Sequence, residues 1–447
     1  MRLLPCTASA VLLAALSAAH ADSSIQLYGI ADLGLVTTDH GNPADPNGAA
    51  NVTPLPTSAV TYNPATAPNG KTEARVSSLI NGGLSPSRWG IKGSEDLGDG
   101  LAAVFTLESP INVAAGTVPN VRLSVANSQA NTPYATQEGS FDGQLFARES
   151  TVGLRSKALG ELRFGRQQTV MADALGQFDI NSGYMDPLVY NGGYNGGGFT
   201  AEARWDNAIK YGVDLNENFR VQLMYRLGGV SGSMNTRNAE GATLYFTSGP
   251  LKLAAAYVND HDAQLASGST QLAAGSLPSN PTYTNTLKLT FANTYAYALL
   301  GAYQLNDDWS FKGGWEQIHT ENPFNPAYNQ SIGSMSGVSV TQWSVTAYTN
   351  PRNENMYWLG ASYAFVPGWK ANLGYYQRNT NRYGANAAAA TMSDTSNAKY
   401  YVGELIHSLS KRTDLYGLVT ESDVNGPVWA GYKAHTLSLA VGMRHVF

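Results

Sequence analysis

From Ile25 onward the chain alternates between apolar and polar positions. Ile25, Leu27, Gly29, Ala31, Leu33 and Leu35 fall on one side, and Gln26, Tyr28, Asp32 and Gly34 fall largely on the other. A period of two is the mark of a β-strand with one apolar and one polar face. The same pattern closes the chain, where Leu437, Leu439, Val441, Met443 and Phe447 oppose Thr436, Ser438, Gly442 and Arg444. It recurs in the middle, where Phe219, Val221, Leu223 and Tyr225 alternate with Arg220, Gln222, Met224 and Arg226.

This pattern predicts sixteen strands, at 25–37, 86–95, 101–109, 145–155, 160–167, 203–214, 218–227, 239–248, 251–260, 295–305, 309–320, 355–365, 368–379, 398–410, 413–422 and 435–447. Seven connections are tight, among them Leu97-Gly98-Asp99-Gly100 and Ser248 to Pro250, and they alternate strictly with eight longer ones. An up-and-down antiparallel sheet whose long connections all leave at one end explains the alternation. Transmembrane β-barrels have this asymmetry, with short periplasmic turns, long external loops and an even strand number. An open sheet edge in lipid would leave backbone groups without hydrogen bonds, so the sheet must close on itself. Trp309, Trp315, Tyr357, Trp369, Tyr400 and Tyr401 crowd strand ends, where amphipathic rings suit the lipid–water boundary.

Composition narrows the class. The 447 residues are only 14% charged, against about 25% for soluble proteins, and include 46 Gly and 25 Tyr. A mean hydropathy of -0.22 excludes a bundle of apolar spanning helices. The net charge of -5 offers no basic footprint for nucleic acid. One Cys forms neither an intrachain disulfide nor a zinc site, and His319, His407 and His435 have no metal-ligand spacing. No cofactor, no metal and no enzymatic activity are expected.

The N-terminus reads as a secretory signal over 1–21. Arg2 supplies the positive start, an apolar run passes through Leu13 and Leu16, and Ala19-His20-Ala21 offers the small residues of a cleavage site. The remaining 22–447 shows no internal domain boundary. Its Asn-, Gly-, Ser-, Thr- and Pro-rich stretches, as at 40–70 and 262–281, read as external loops.

Strand parity sorts the charges. Arg88 and Lys92 oppose Trp89 and Ile91 and so face inward. Arg163 opposes Leu162 and Phe164, and Arg204 and Lys210 oppose Ile209, Tyr211 and Val213. An arginine facing lipid at mid-depth costs about 2–4 kcal/mol, which supports the inward side for each. Glu108 and Asp206 are the acids of the same wall. Simple alternation places Arg148 and Arg166 with the lipid-facing side chains, unless a bulge near Gly165 or a subunit contact intervenes.

Three segments carry a resemblance. Ser24-Ile25-Gln26-Leu27-Tyr28-Gly29-Ile30-Ala31-Asp32, Ser87-Arg88-Trp89-Gly90-Ile91-Lys92-Gly93-Ser94-Glu95-Asp96-Leu97-Gly98-Asp99-Gly100-Leu101, and Phe146-Ala147-Arg148-Glu149-Ser150-Thr151-Val152-Gly153-Leu154 with Phe164-Gly165-Arg166-Gln167 resemble the first strand, second hairpin and strands four and five of general porins of Gram-negative outer membranes, in the beta-proteobacterial version. The terminal Phe447 is similar to the aromatic end of such barrels. The resemblance implies a sixteen-stranded barrel in the outer membrane and a homotrimer among outer-membrane lipids and lipopolysaccharide. It also implies passive diffusion of ions and small hydrophilic solutes. A substrate-specific outer-membrane channel is the alternative.

In that family the third loop folds inward and narrows the pore. Here this loop spans 168–200 and carries Asp173, Asp179 and Asp186, then a glycine-rich run from Tyr190 to Gly198. Arg148 and Arg166 match family positions, which places them at the constriction too. The resemblance and the bases of the wall together give an expected weak anion preference, set mainly by Arg88 and Arg163.

Overall fold

The computed structural model describes residues 23–39, 76–116, 118, 145–181, 203–269, 286–329, 334–335, 338–383, 395–425 and 435–447. The expected signal segment 1–21, Asp186 and the run from Tyr190 to Gly198 lie outside the described residues.

Sixteen strands form one closed antiparallel barrel. They are β1 (Ser23–Asp39), β2 (in two pieces, Val76–Asn81 and Arg88–Gly98), β3 (Leu101–Pro110), β4 (Glu149–Ser156), β5 (Gly160–Gln168), β6 (Arg204–Asp214), β7 (Phe219–Arg226) and β8 (Ala239–Ser248). β9 (Leu251–Ser269), β10 (Thr286–Gln304), β11 (Trp309–Glu321), β12 (Arg352–Val366), β13 (Trp369–Thr380), β14 (Ser396–Ser408), β15 (Thr413–Asn425) and β16 (His435–Val446) complete it. The tight turns gather at one end, and the long connections at the other.

Each strand pairs with its chain neighbours, and β1 closes the ring on β16 with Ile30 opposite Val446 and Thr38 opposite Ser438. The backbone N–H of Gly29 donates to the Phe447 carbonyl and that of Phe447 to the Gly29 carbonyl, both at 3.0 Å, so pairing runs to the last residue. Leu359, Leu373, Val152 and Val441 point outward and are more than half exposed to what would be lipid. Their neighbours of opposite parity, among them Trp358, Val104 and Ala440, are buried inside.

Three features differ from simple alternation. The second strand is broken: Val76–Asn81 pairs with the outer half of β1 and Arg88–Gly98 with its inner half. The intervening Gly82-Gly83-Leu84-Ser85-Pro86 leaves the sheet, where Pro86 has no N–H to give to the ladder. β9 and β10 extend well past their expected ends as a protruding hairpin whose register slips between Asp260 and Ala263. That hairpin has no lipid to face, so it lacks the apolar alternation that marks the spans. Tyr400, expected at the membrane boundary, is instead buried inside the barrel; Tyr401 takes the outward place with about half of it exposed.

A helix, α1 (Val170–Phe178), lies inside the barrel. Thr169 caps it, its side chain accepting from the Ala172 N–H at 3.1 Å and satisfying one orphan donor of the first turn. Val170, Met171, Leu175 and Phe178 pack on Trp205, Met224, Val258, Ile318 and Met356 of the inner wall. Ala208, Ala239, Ala254, Ala256, Ala296 and Ala298 line the same cluster, and their small side chains leave the space a helix needs.

Candidate channel constriction

The wall of β2–β6 carries the basic residues. Arg88 and Lys92 project from β2. Lys92 sits with its ammonium 5.0 Å over the ring of Tyr28, whose hydroxyl donates to Glu108 Oε2 at 3.0 Å. Glu108 on β3 also accepts from Arg148 Nε at 2.6 Å and lies 3.9 Å from the Arg88 guanidinium. Arg148 and Arg204 both lie near enough to Arg88 to repel its charge. Glu108 therefore serves two guanidiniums.

Lower on the same wall Arg163 donates to Thr106 and to Glu149, both at 2.9 Å, and pairs with Glu161. Lys210 on β6 donates to the Gln168 carbonyl at 3.0 Å and pairs with Asp173 of α1. That pair ties the start of the inner segment to the wall it leaves.

Arg148 and Arg166 correct the alternation reading. Arg148 precedes the first paired residue of β4, and its side chain turns onto the inward-facing Glu108. At Arg166 the β5–β6 register jumps: Gly165 faces Ala208 but Gln167 faces Trp205. Positive φ at Gly165 (118°) and Asn207 (50°) marks the bulge, which one skipped residue suffices to turn against the parity of its strand. The Arg166 guanidinium is buried, donating to the Ala147 carbonyl at 2.5 Å and to Asp206 at 2.7 Å.

Beyond α1 the chain crosses to the opposite wall and is fastened there. Lys312 Nζ donates to the Asp179 carbonyl at 2.9 Å and Trp358 Nε1 to the Phe178 carbonyl at 3.0 Å. The Tyr376 hydroxyl donates to Asp179 Oδ1 at 2.5 Å and accepts from Asn181 at 2.8 Å. Gly360 lies directly beneath Ile180, and a Cβ there would overlap the Ile180 side chain. The Asp179 carboxylate is thus turned into the β13 wall.

The sequence reading singled out Arg88, Lys92, Glu108, Arg148, Arg163, Arg166, Asp173, Asp179, Arg204, Asp206 and Lys210. The geometry groups Arg88, Lys92, Glu108, Arg148 and Arg204 at one place, Arg163 with Glu149 and Glu161 at a second, Arg166 with Asp206 at a third and Lys210 with Asp173 at a fourth. Asp179 stands apart on the far wall. Parity alone could have added Tyr28, Glu149 and Thr106, which share the inward face of their strands. Lys312, Trp358 and Tyr376 gave no such signal, because only closure of the barrel brings them to the inner segment.

A closed barrel with aliphatic residues outside, charged residues inside and a chain segment folded into its lumen defines a transmembrane channel-type barrel. The family model for Gram-negative porins matches residues 8–427, and this chain belongs to that family. An outer membrane porin protein of Bordetella pertussis is 31% identical over 264 residues, and this alignment spans 56% of the chain and 57% of that protein. Among solved structures, an anion-selective porin from Comamonas acidovorans superposes with a TM-score of 0.59 at 18% identity, over 95% of this chain and 100% of that one. A loop-deletion form of the outer membrane protein OmpT of Vibrio cholerae does so with 0.57 at 13% identity, over 95% and 99%. At such identities the likeness establishes the shared fold.

Proposed function

We propose that this chain forms a water-filled channel through the outer membrane for passive diffusion of ions and small hydrophilic solutes, with a weak preference for anions. The observation that carries this reading is the sharing of Glu108 by the two guanidiniums of Arg88 and Arg148 on the lumen wall. Other bases of the wall sit against acids: Arg163 on Glu149, Arg166 on Asp206 and Lys210 on Asp173. Arginine stays charged under all accessible conditions, so the two guanidiniums on one carboxylate keep a positive balance there. In a narrow gap bounded by low-dielectric walls such a cluster concentrates anions and sorts ions by sign. The inner segment from Gln168 to Asn181 supplies the opposite bank.

The active form is a homotrimer on this reading, as in the trimer form described for Vibrio cholerae OmpT. No enzymatic step is assigned.

Single-channel recording across a potassium chloride gradient tests the function. An anion-signed reversal potential in a stepwise, three-level conductance is expected. A cation-signed potential removes the selectivity reading, and liposomes that leak no solute remove the channel reading itself.

A further inference from the structure

Five adjacent strands set five carboxamides side by side on the outside of the barrel. Gln317 of β11 faces Asn355 of β12, Asn355 faces Asn379 of β13, Asn379 faces Asn397 of β14, and Asn397 faces Asn425 of β15. Strands lie about 4.8 Å apart, so the row is about 19 Å long. Its outward direction follows from parity. Met356, Trp358, Tyr376, Arg378, Ala398 and Tyr400 are buried inside, whereas Tyr357, Leu359, Leu373 and Tyr401 are exposed outside.

The depth of the row is set by the strands beneath it. Leu359, Leu373 and Leu405 form the exposed aliphatic zone, and Tyr357, Tyr375 and Tyr401 stand above them. Asn355 lies two residues beyond Tyr357, about 7 Å further toward the end with the long connections. That is the headgroup level of the outer leaflet, beyond the aromatic girdle.

The carboxamides do not pair with one another along the row. Asn355 Oδ1 accepts from Trp315 Nε1 at 3.2 Å, a donor-only partner that fixes which end is oxygen. Asn353 Oδ1 meets His319 Nδ1 at 2.6 Å, Asn379 Oδ1 accepts from Gln377 at 3.1 Å, and Asn381 Oδ1 accepts from the Asn353 N–H at 2.7 Å. The oxygens are thereby used, while the Nδ2 donors of Asn353, Asn355 and Asn379 bond to no other described residue. They border a pocket of about 450 Å³ whose described lining includes six asparagines and, among the described residues, no charged side chain.

An uncharged, donor-rich pocket at this depth discriminates among the groups a membrane offers. A phosphate would find no cation among its described lining residues. An acyl chain would strip water from carboxamides without replacing their hydrogen bonds, at about 1–3 kcal/mol each. A sugar ring offers hydroxyl oxygens to accept from the free amide nitrogens. The volume falls within the about 300–1,000 Å³ of small-molecule sites. We propose that this pocket binds an uncharged hexose of an outer-leaflet glycolipid, whose acyl chains then lie against Leu359, Leu373 and Leu405. The proposal rests on the reading of the chain as an outer-membrane channel.

Native mass spectrometry of the delipidated full-length protein tests it with three probes: a lipopolysaccharide carrying its core hexoses, lipid A without them, and the free core oligosaccharide. The core-bearing glycolipid should be retained at least tenfold better than lipid A. The free oligosaccharide should bind measurably but more weakly, which identifies the sugar as the recognised part. The double variant Asn355→Leu/Asn379→Leu should lose the tenfold advantage. Asn355→Asp, which keeps the size and the bond from Trp315 but removes the donor, should lower it in the same direction even if the double variant does not fold. Equal retention of lipid A and core-bearing glycolipid, or unchanged retention by Asn355→Asp, overturns the proposal. Conductance recorded in parallel should be unaltered in these variants, and its absence in the parent would refute the channel reading separately.

Discussion

The Tyr416 hydroxyl of β15 donates a 2.7 Å hydrogen bond to the carboxylate of Asp32 on β1, 384 positions away. Asp32 is fully buried and also accepts from the backbone N–H groups of Gly83, Leu84 and Ser85, at 2.9–3.0 Å. The segment that leaves the sheet between the two pieces of β2 is therefore held by one carboxylate. Leu84 of that segment packs with Val36, Ile80, Ile406, Tyr416 and Leu418, the smaller of the two inner clusters.

Removing this tie should loosen the barrel without changing its strands. Tyr416→Phe takes one hydrogen bond from a charged acceptor, a loss of about 1.5–3 kcal/mol. Asp32→Ala leaves three backbone donors unanswered and should cost more. The temperature at which the folded band shifts in unboiled gel electrophoresis should fall in the order parent, Tyr416→Phe, Asp32→Ala. A variant order the other way round would show that the carboxylate is not the tie.

Closure at the seam makes a second prediction. A Cβ at Gly29 would overlap the Phe447 ring and lie 2.8 Å from the Arg88 carbonyl. Gly29→Val should therefore slow or prevent assembly into the heat-resistant form, whereas a serine in place of the more exposed Gly301, whose Cβ meets only Leu253 at 3.7 Å, should not. Refolding into detergent followed by gel shift reads both.

The inner segment should depend on its anchors across the lumen. Lys312→Met removes one hydrogen bond to the 179–181 run and Tyr376→Phe removes two, each worth about 0.5–3 kcal/mol depending on its charge. Single-channel traces should show larger current noise and a changed mean conductance, most in the double variant. Quiet traces at parental conductance would place the narrowing elsewhere.

Charge compensation predicts unequal effects of two arginines. Arg163 meets two carboxylates, Glu149 and the Glu161 it shares with Arg155, whereas Arg88 shares its one carboxylate, Glu108, with Arg148. Arg88→Glu should shift the reversal potential toward cations further than Arg163→Glu does. Both shifts should shrink between 0.01 M and 1 M salt, as the Debye length falls from about 30 Å to about 3 Å. Equal shifts at low salt would contradict the pairing argument.

Alternation along the chain was enough to place all sixteen strands and both kinds of connection, because lipid on one side and water on the other force every span into the same period. It also assigned Arg88, Lys92, Arg163 and Lys210 to one face, since parity is a local property of a regular strand. It failed at Arg148 and Arg166, where a strand start and a bulge reverse the parity within one residue. The expectation for Tyr400 failed as well, for of two adjacent tyrosines on one strand only Tyr401 can face outward.

What only the tertiary structure decided are relations across the ring. The tie between Asp32 and Tyr416, the turning of Asp179 onto Tyr376, and the row from Gln317 to Asn425 all join residues far apart in the chain. Each depends on register and closure, which are settled by the sum of the pairing along all strands. Spacing within any one strand leaves them open.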